Sequence, residues 1–283
     1  MTATFVLTLT CADRPKLVSS IAGLIAAGGG NILEAHQFVD RETLRFFLRI
    51  MFETSESQAG LSERIGAFAI DLDAAWRVRP TDKKMKVLLL VSKFDHCLSD
   101  LIYRFRVGEL NMEPVGIISN HPPQAMNLSQ FSGIPFYYLP IAQAAKPAQE
   151  QQIKDIVSAT GTELVVLARY MQILSDDMSA FLSGRCINIH HSFLPGFKGA
   201  KPYQQAHERG VKMIGATAHY VTADLDEGPI IAQDVEQITH AHSPDDLVRK
   251  GRDIERRVLA HAVRYHLQDR VLMNGTKTVI FRD

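Results

Sequence analysis

Residues 4–10 (TFVLTLT) alternate Phe5, Leu7 and Leu9 with threonine and valine, the period-two pattern of a half-buried strand. Asp13 and Pro15 then supply helix-start chemistry, and Leu17, Val18, Ile21, Leu24 and Ile25 follow as one apolar stripe at helical spacing. Gly28-Gly29-Gly30 ends that helix, because glycine accepts a left-handed cap without steric cost. Residues 31–39 and 45–52 read as two strands around the polar turn Asp40-Arg41-Glu42-Thr43, with Phe46, Leu48, Ile50 and Phe52 on the buried face. A second helical stripe (Leu61, Ile65, Phe68, Leu72) and a short strand at Ala75–Val78 complete the order βαββαβ, which predicts a ferredoxin-like sandwich.

Proline and a polar cluster at Arg79–Lys84 then interrupt the pattern as a linker does, predicting domains at 1–82 and 83–283. Beyond the linker, Lys86–Val91 is a continuous apolar run, suited to a central parallel strand buried on both faces. Similar runs recur at Val115–Ser119, Phe136–Leu139, Leu164–Ala168 and Ile187–His190, with helical stretches at 98–106, 148–158 and 176–183 between them. This alternation predicts a doubly wound, mostly parallel α/β sheet with right-handed crossovers. Ala216–Val221 and Pro229–Glu236 add two strands, and Ser243-Pro244 opens a long helix whose apolar face is Leu247, Ile254, Val258, Ala262 and Tyr265, charge filling the rest. Asn274-Gly275 marks a terminal hairpin.

Composition narrows the function classes. The 283 residues are 46% apolar and 22% charged, which excludes a disordered chain. Lys plus Arg equals Asp plus Glu at 31 each, so no global field recruits nucleic acid or anionic lipid, and any partner needs a local site. Cys11, Cys97 and Cys186 are odd in number and scattered, as free thiols in a reducing compartment are. No apolar run approaches the roughly 20 residues of a membrane span. The first residues lack a basic segment and alternate like a strand, so cytoplasm is the default expectation.

In wound sheets ligands bind outside the carboxyl ends of the strands. That rule directs attention to Ser92–His96, Asn120-His121-Pro122, Arg169–Leu174 and Asn188 onward. Residues 188–199 (NIHHSFLPGFKG) place an amide, two imidazoles and a hydroxyl after a strand, and Leu225-Asp226-Glu227-Gly228-Pro229 is an acidic turn before another. Taken singly, Asn188 and Asp226 read as turn residues and His190 as equally suited to core and function. Together, with KPYQQAHERGVKMIGATAHYVTADLDEGPIIAQ between and after them, they resemble the folate-dependent formyltransferase and deformylase superfamily.

The resemblance implies a catalytic group of Asn188, His190 and Asp226 acting on a formyl group. Formamide cleavage needs donors for an oxyanion, a base for water and an acid for the departing nitrogen. A carboxamide supplies the first without titrating away, and an imidazole of reference pKa about 6.5 serves either proton step near neutrality. Asn188 and His190 would then hold the oxyanion while His190 and Asp226 share the proton work, the division between them left open. The resemblance also implies that Arg169, Tyr170, Met171, Gln172, Ile173 and Leu174 take the pterin ring, with His191, Ser192, Lys201 and His219 on the substrate side. It implies a folate substrate, no metal and no permanently bound cofactor.

The first domain, through DRPKLVSSIAGLIAAGGGNI, resembles an ACT domain, an amino-acid-sensing module. Asp13, Arg14, Gly30, Asn31 and Ile32 would lie near an amino-acid effector, held between paired domains in a homo-oligomer. Transferases of the superfamily carry a glycine-rich phosphate loop after the first strand. Here that stretch is Ser92-Lys93-Phe94-Asp95-His96-Cys97-Leu98, without glycine and with an aspartate that repels phosphate. This departure and the leading domain imply the deformylase branch, which hydrolyses 10-formyltetrahydrofolate to tetrahydrofolate and formate and so supplies purine biosynthesis and balances one-carbon pools. The alternatives are glycinamide ribonucleotide formyltransferase, a metal-dependent amidohydrolase using His190, His191, His219 and Asp226, and a non-catalytic folate or amino-acid sensor.

Overall fold

A computed structural model describes residues 2–126, 128–141, 146–194 and 202–282. The chain forms two compact units, Met1–Lys84 with Gln268–Asp283, and Met85–Leu267. Each is built around its own sheet.

The first unit runs β1 (Ala3–Ala12), α1 (Leu17–Ala27), β2 (Asn31–Asp40), β3 (Arg45–Thr54), α2 (Gln58–Ile70) and β4 (Ala75–Pro80). Its antiparallel sheet has the order β2-β3-β1-β4, as a ferredoxin-like βαββαβ chain requires. Phe5, Leu7 and Leu9 of β1 and Phe46, Leu48, Ile50 and Phe52 of β3 pack with Ile21 and Ile25 of α1 and Leu61 and Ile65 of α2. The start of α1 departs from expectation. Lys16, not Asp13, stands at the N-cap with φ 75° and no side-chain cap, while the Asp13 N–H donates to the Leu44 carbonyl. At the other end Gly29 takes the left-handed conformation, and Gly30 fits where a Cβ would stand 2.7 Å from Ile25 Cγ2.

The second unit runs β5 (Met85–Val91), α3 (His96–Arg106), β6 (Met112–Ser119), β7 (Phe136–Tyr138), α4 (Lys146–Thr160), β8 (Leu164–Leu167), α5 (Asp176–Phe181), β9 (Cys186–His190), α6 (Pro202–Glu208), β10 (Met213–Tyr220), β11 (Ile230–Gln237) and α7 (Pro244–Leu267). Strand order is β11-β10-β9-β8-β5-β6-β7, parallel from β9 to β7 and antiparallel at the β10 and β11 edge. All of Val87–Val91 is buried, which explains the unbroken apolar run: Leu88 and Leu90 meet Ile153 and Val157 of α4 and Met178 of α5, and the alternate residues serve the other face. Chain order reverses between β5 and β8, so a crevice opens at their carboxyl ends. Ser243 caps α7 reciprocally with Asp246, the Asp246 N–H donating to Ser243 Oγ and the Ser243 N–H to Asp246 Oδ2. The helix α6 carries too short an apolar pattern to be expected from sequence.

The expected end of the second domain at 283 differs from the structure, because the terminal hairpin packs within the first unit. Strands β12 (Val271–Asn274) and β13 (Lys277–Ile280) meet around Gly275, whose φ of 62° suits the first central place of a two-residue turn. Leu272 and Phe281 cover Phe47, on the face of β3 opposite the α1 and α2 core. Arg49, on that same face, donates to the Gln268 carbonyl and pairs with Glu34, and Arg79 pairs with Asp269. The run RFFLRIMF is therefore buried on both sides, and the hairpin is what covers the second.

Candidate active site

Strand periodicity and register assemble the site. Side chains alternate faces along β9, so Asn188 and His190 share one face while Ile187 and Ile189 are buried on the other. Across β10, His219 pairs directly with Asn188 and Thr217 with His190, which brings the His219 ring to the Asn188 face. Asn188 Nδ2 lies 3.3 Å from His219 Nε2, and His219 Nδ1 lies 2.9 Å from the Tyr220 carbonyl. A carbonyl only accepts, so Nδ1 carries the proton and Nε2 of the neutral ring accepts from Asn188. The carboxamide is thereby oriented, and its second N–H is left for the cavity that Asn188 lines.

Asp226 reaches this face from the turn between β10 and β11. Its φ is 58°, a left-handed conformation that Asx residues tolerate better than most. Gly228 seats the turn tightly, since a Cβ there would stand 1.7 Å from the Tyr220 carbonyl oxygen. Asp226 Oδ2 is 3.1 Å from His190 Nδ1, and Oδ1 is 3.7 Å from His219 Nε2. Burial pushes the Asp226 carboxyl up, but the hydrogen bond from His190, with the His219 ring alongside, outweighs it and holds the group well below the usual carboxylate range. The carboxylate is ionised at neutral pH. His190, with Nδ1 committed to Asp226, has its Nε2 buried and without a hydrogen-bond partner among the described residues. A buried ring nitrogen of this kind calls for a water or substrate atom.

The loop after β8 forms the facing wall. Arg169 takes φ 65°, and its carbonyl accepts from the Ser92 N–H at 3.2 Å. Ser92 Oγ accepts from the Met171 N–H at 2.9 Å and donates to Asn120 Oδ1 at 2.7 Å. Ser92 and Asn120, at the ends of β5 and β6, thus pin the backbone of this loop. The cavity between loop and strands measures about 290 Å³ and is walled by residues 169–174, by Asn188–His191 with His219, and by Val221–Asp226. Met171, Ile173 and Leu225 keep about half or more of their surface exposed at its wall, an apolar surround for a flat ring.

His191 stacks on His190 with ring centroids 5.1 Å apart. Burial, then the Arg169 and His190 charges, push its pKa down to about 4, so it is neutral near pH 7. The unfolded chain takes this proton first, at about 6.5. The His191 contribution to stability is therefore fully present above about pH 6.5 and is lost as pH falls toward 4. His191→Gln should flatten the fall in unfolding free energy between those values by at most about 3 kcal/mol, measured by denaturant titration across pH. A variant whose curve runs parallel to the parent's contradicts the assignment.

Of the expected site residues, Asn188, His190, His191, His219, Asp226 and all of Arg169–Leu174 line this one cavity. Ser192 does not line it. It is buried, and its carbonyl accepts from Thr217 Oγ1 at 3.0 Å. Lys201 lies outside the described residues. In the first unit, Asp13 and Arg14 follow β1 beyond the Ala12–Arg45 pair, whereas Asn31 faces Glu53, level with Thr4. The strand between those levels spans roughly 27 Å at about 3.4 Å per residue. One copy therefore does not bring Asp13 and Arg14 to Gly30, Asn31 and Ile32. Sequence reasoning missed the Val221–Leu225 wall and the anchoring role of Ser92, although the strand-end rule had pointed at Ser92. Among the described residues, the His, Cys and carboxylate group with ligand atoms within 4.8 Å of one another is His96, Cys97 and Glu255, not the cavity histidines.

Comparison with known proteins places these features in context. Residues 85–263 match the family model for formyl transferase and residues 3–79 that for the ACT domain. A formyltetrahydrofolate deformylase of Synechocystis is 47% identical over 284 residues, covering 99% of each chain. The crystal structure of formyltetrahydrofolate deformylase from Burkholderia mallei superposes with a TM-score of 0.94 at 47% identity, covering 99% of this chain and 100% of that one. Glycinamide ribonucleotide transformylase 1 from Symbiobacterium toebii matches with a TM-score of 0.65 at 28% identity, covering 70% of this chain and 95% of its own.

Proposed function

This chain belongs to the formyltetrahydrofolate deformylase family, and we propose that its Asn188, His190 and Asp226 carry the hydrolysis of 10-formyltetrahydrofolate to tetrahydrofolate and formate. The observation that supports this assignment is the state of His190. Its Nδ1 is held by an ionised Asp226 at 3.1 Å, while Nε2 is buried in the cavity wall without a hydrogen-bond partner among the described residues.

In this reading Nε2 of the neutral imidazole takes a proton from water as its oxygen bonds to the formyl carbon. The formyl oxygen becomes an oxyanion, which the free N–H of Asn188 meets as a donor. Asp226 stabilises the imidazolium that has formed and keeps its ring in place. His190 then returns the proton to the folate nitrogen as the carbon–nitrogen bond breaks. Formate leaves as an anion, its remaining proton going to solvent. Neutral His191 beside His190 adds no like charge to oppose the imidazolium. A role in supplying formate for purine biosynthesis and in balancing one-carbon pools is consistent with the family.

The acceptor is water rather than an amine. The stretch Ser92–Leu98 has no glycine with which to wrap a phosphate, and His96 Nε2 within it is bonded to Glu255 at 2.9 Å. Incubation with 10-formyltetrahydrofolate alone tests the reading: formate and tetrahydrofolate should appear in equal amounts. Formyl transfer that needs an added glycinamide ribonucleotide would contradict it.

The ACT-type unit supports a second proposal, an amino-acid effector bound between two copies of the chain. The separation of Asp13 and Arg14 from Asn31 and Ile32 along the sheet fits a site completed by a second copy. The edge strand β2 leaves Ile32, Leu33 and Phe38 exposed, as a pairing surface would. A monomeric mass in solution would contradict the pairing. Among the described residues no helix is long and apolar enough to cross a membrane.

A further inference from the structure

Glu255 sits in the middle of α7 and is 1% exposed, an unusual place for a carboxylate. Its oxygens accept from Tyr203 Oη at 2.6 Å and His96 Nε2 at 2.9 Å, and Arg169 Nε stands 3.3 Å away. These partners come from three places. His96 opens α3 after the β5 loop, Arg169 belongs to the loop after β8, and Tyr203 lies in α6, where the loop after β9 ends.

We infer that Glu255 is a positioning residue for the reaction, one buried carboxylate that ties together the three strand-end loops around the His190 side of the cavity. This rests on the deformylase reading above. Several independent features show a built arrangement. One helical turn before Glu255, Gly251 lies against the Tyr203 ring, where a Cβ would come within 2.1 Å of the phenol oxygen. The helix is hollowed so that Tyr203 can lie across it and reach the carboxylate. Arg169 Nε and one terminal nitrogen are buried without hydrogen bonds among the described residues, so the charge of Glu255 is what holds that guanidinium. Burial would raise the Glu255 carboxyl, but the His96 bond, the Arg169 charge and the Tyr203 bond outweigh it and keep the group ionised.

The network continues to the reacting ring. Tyr203 lies 6.3 Å from His191 between centroids, and His191 stacks on His190. His96, Cys97 and Glu255 also have metal-ligand spacing, but Arg169 already stands at the carboxylate, and a cation beside it would meet that charge. The arrangement serves position and charge balance.

Two effects of Glu255→Gln can be separated. Arg169 O and Met171 N remain tied to Ser92, so the folate loop stays in place. KM should therefore change less than about threefold, while kcat falls about tenfold or more as the His190–His191 wall loosens. Among the described residues, the charged and titratable groups around the imidazoles are Asp226 and His219 on one side and Arg169, Glu255 and Tyr203 on the other. Loss of the Glu255 charge leaves Arg169 uncompensated, which disfavours imidazolium. The acid limb of the pH–rate profile should move to lower pH. Tyr203→Phe removes a bond but no charge, and should lower kcat less with the acid limb unmoved.

The experiment compares kcat, KM, pH profile and thermal unfolding of both variants and the parent on 10-formyltetrahydrofolate. A folded Glu255→Gln enzyme with the kcat fall and the displaced limb supports the inference. Parent-like kinetics, or a loss fully accounted for by unfolded protein, overturns it while the functional reading stands. A parent that releases no formate overturns both.

Discussion

His190→Ala is expected to lower kcat by about a thousandfold, with unfolding temperature and folate binding close to the parent's. In the proposed mechanism the ring is at once the proton carrier at Nε2 and the cation that Asp226 stabilises, and general acid–base catalysis alone contributes on the order of 10²–10⁴. Ring removal leaves Asn188 and the cavity in place, so binding survives. His190 packs at the end of β9 beside Asp226 and His191 and is not a member of the apolar cluster around Leu88, Leu90 and Cys186, which limits the cost to folding. Near-normal turnover in a folded His190→Ala protein would remove the ring from the mechanism.

Asp226→Asn is expected to cost about 10²–10⁴ in kcat. Asparagine tolerates the φ of 58° and matches the shape, so the turn above Gly228 is kept. What is lost is charge. The carboxylate accepts from His190 Nδ1 and fixes Nε2 as the free lone pair, whereas an amide can present an N–H there and reverse the ring's tautomer. Steady-state kinetics with a structural check by circular dichroism measures this. A loss that appears in KM alone would assign Asp226 to substrate binding rather than to the proton path.

That Asn188, His190 and Asp226 belong together was expected from a resemblance, and the fold brings all three to one cavity. Residue type and spacing alone left Asn188 and Asp226 as turn residues and His190 undecided, and only the surrounding sequence joined them. Both sheets were legible for a different reason: alternation in TFVLTLT and the unbroken run KVLLLV report one covered face and two. Register was not legible. Nothing in the sequence near His219 says that it pairs with Asn188, and that pairing orients the carboxamide.

Long-range burial was equally hidden. Glu255 lies in a helix whose charged positions read as a solvated face, and only the approach of Tyr203, His96 and Arg169 buries it. The terminal hairpin was predicted as a hairpin, but its destination depends on Phe47 and Arg49, which alternate with the core residues of β3 on the face to which the sequence assigned no cover. In both cases the missing information was the shape of a surface made by distant segments, which no local period records.

Hydrolysis in water enriched in oxygen-18 tests the central claim most directly. With 10-formyltetrahydrofolate as the only organic reactant, a single turnover should release formate carrying one labelled oxygen, with an equal amount of tetrahydrofolate. His190→Ala should abolish this burst on the same timescale. Unlabelled formate, or release that begins only when an amine acceptor is added, would contradict attack by water at this site.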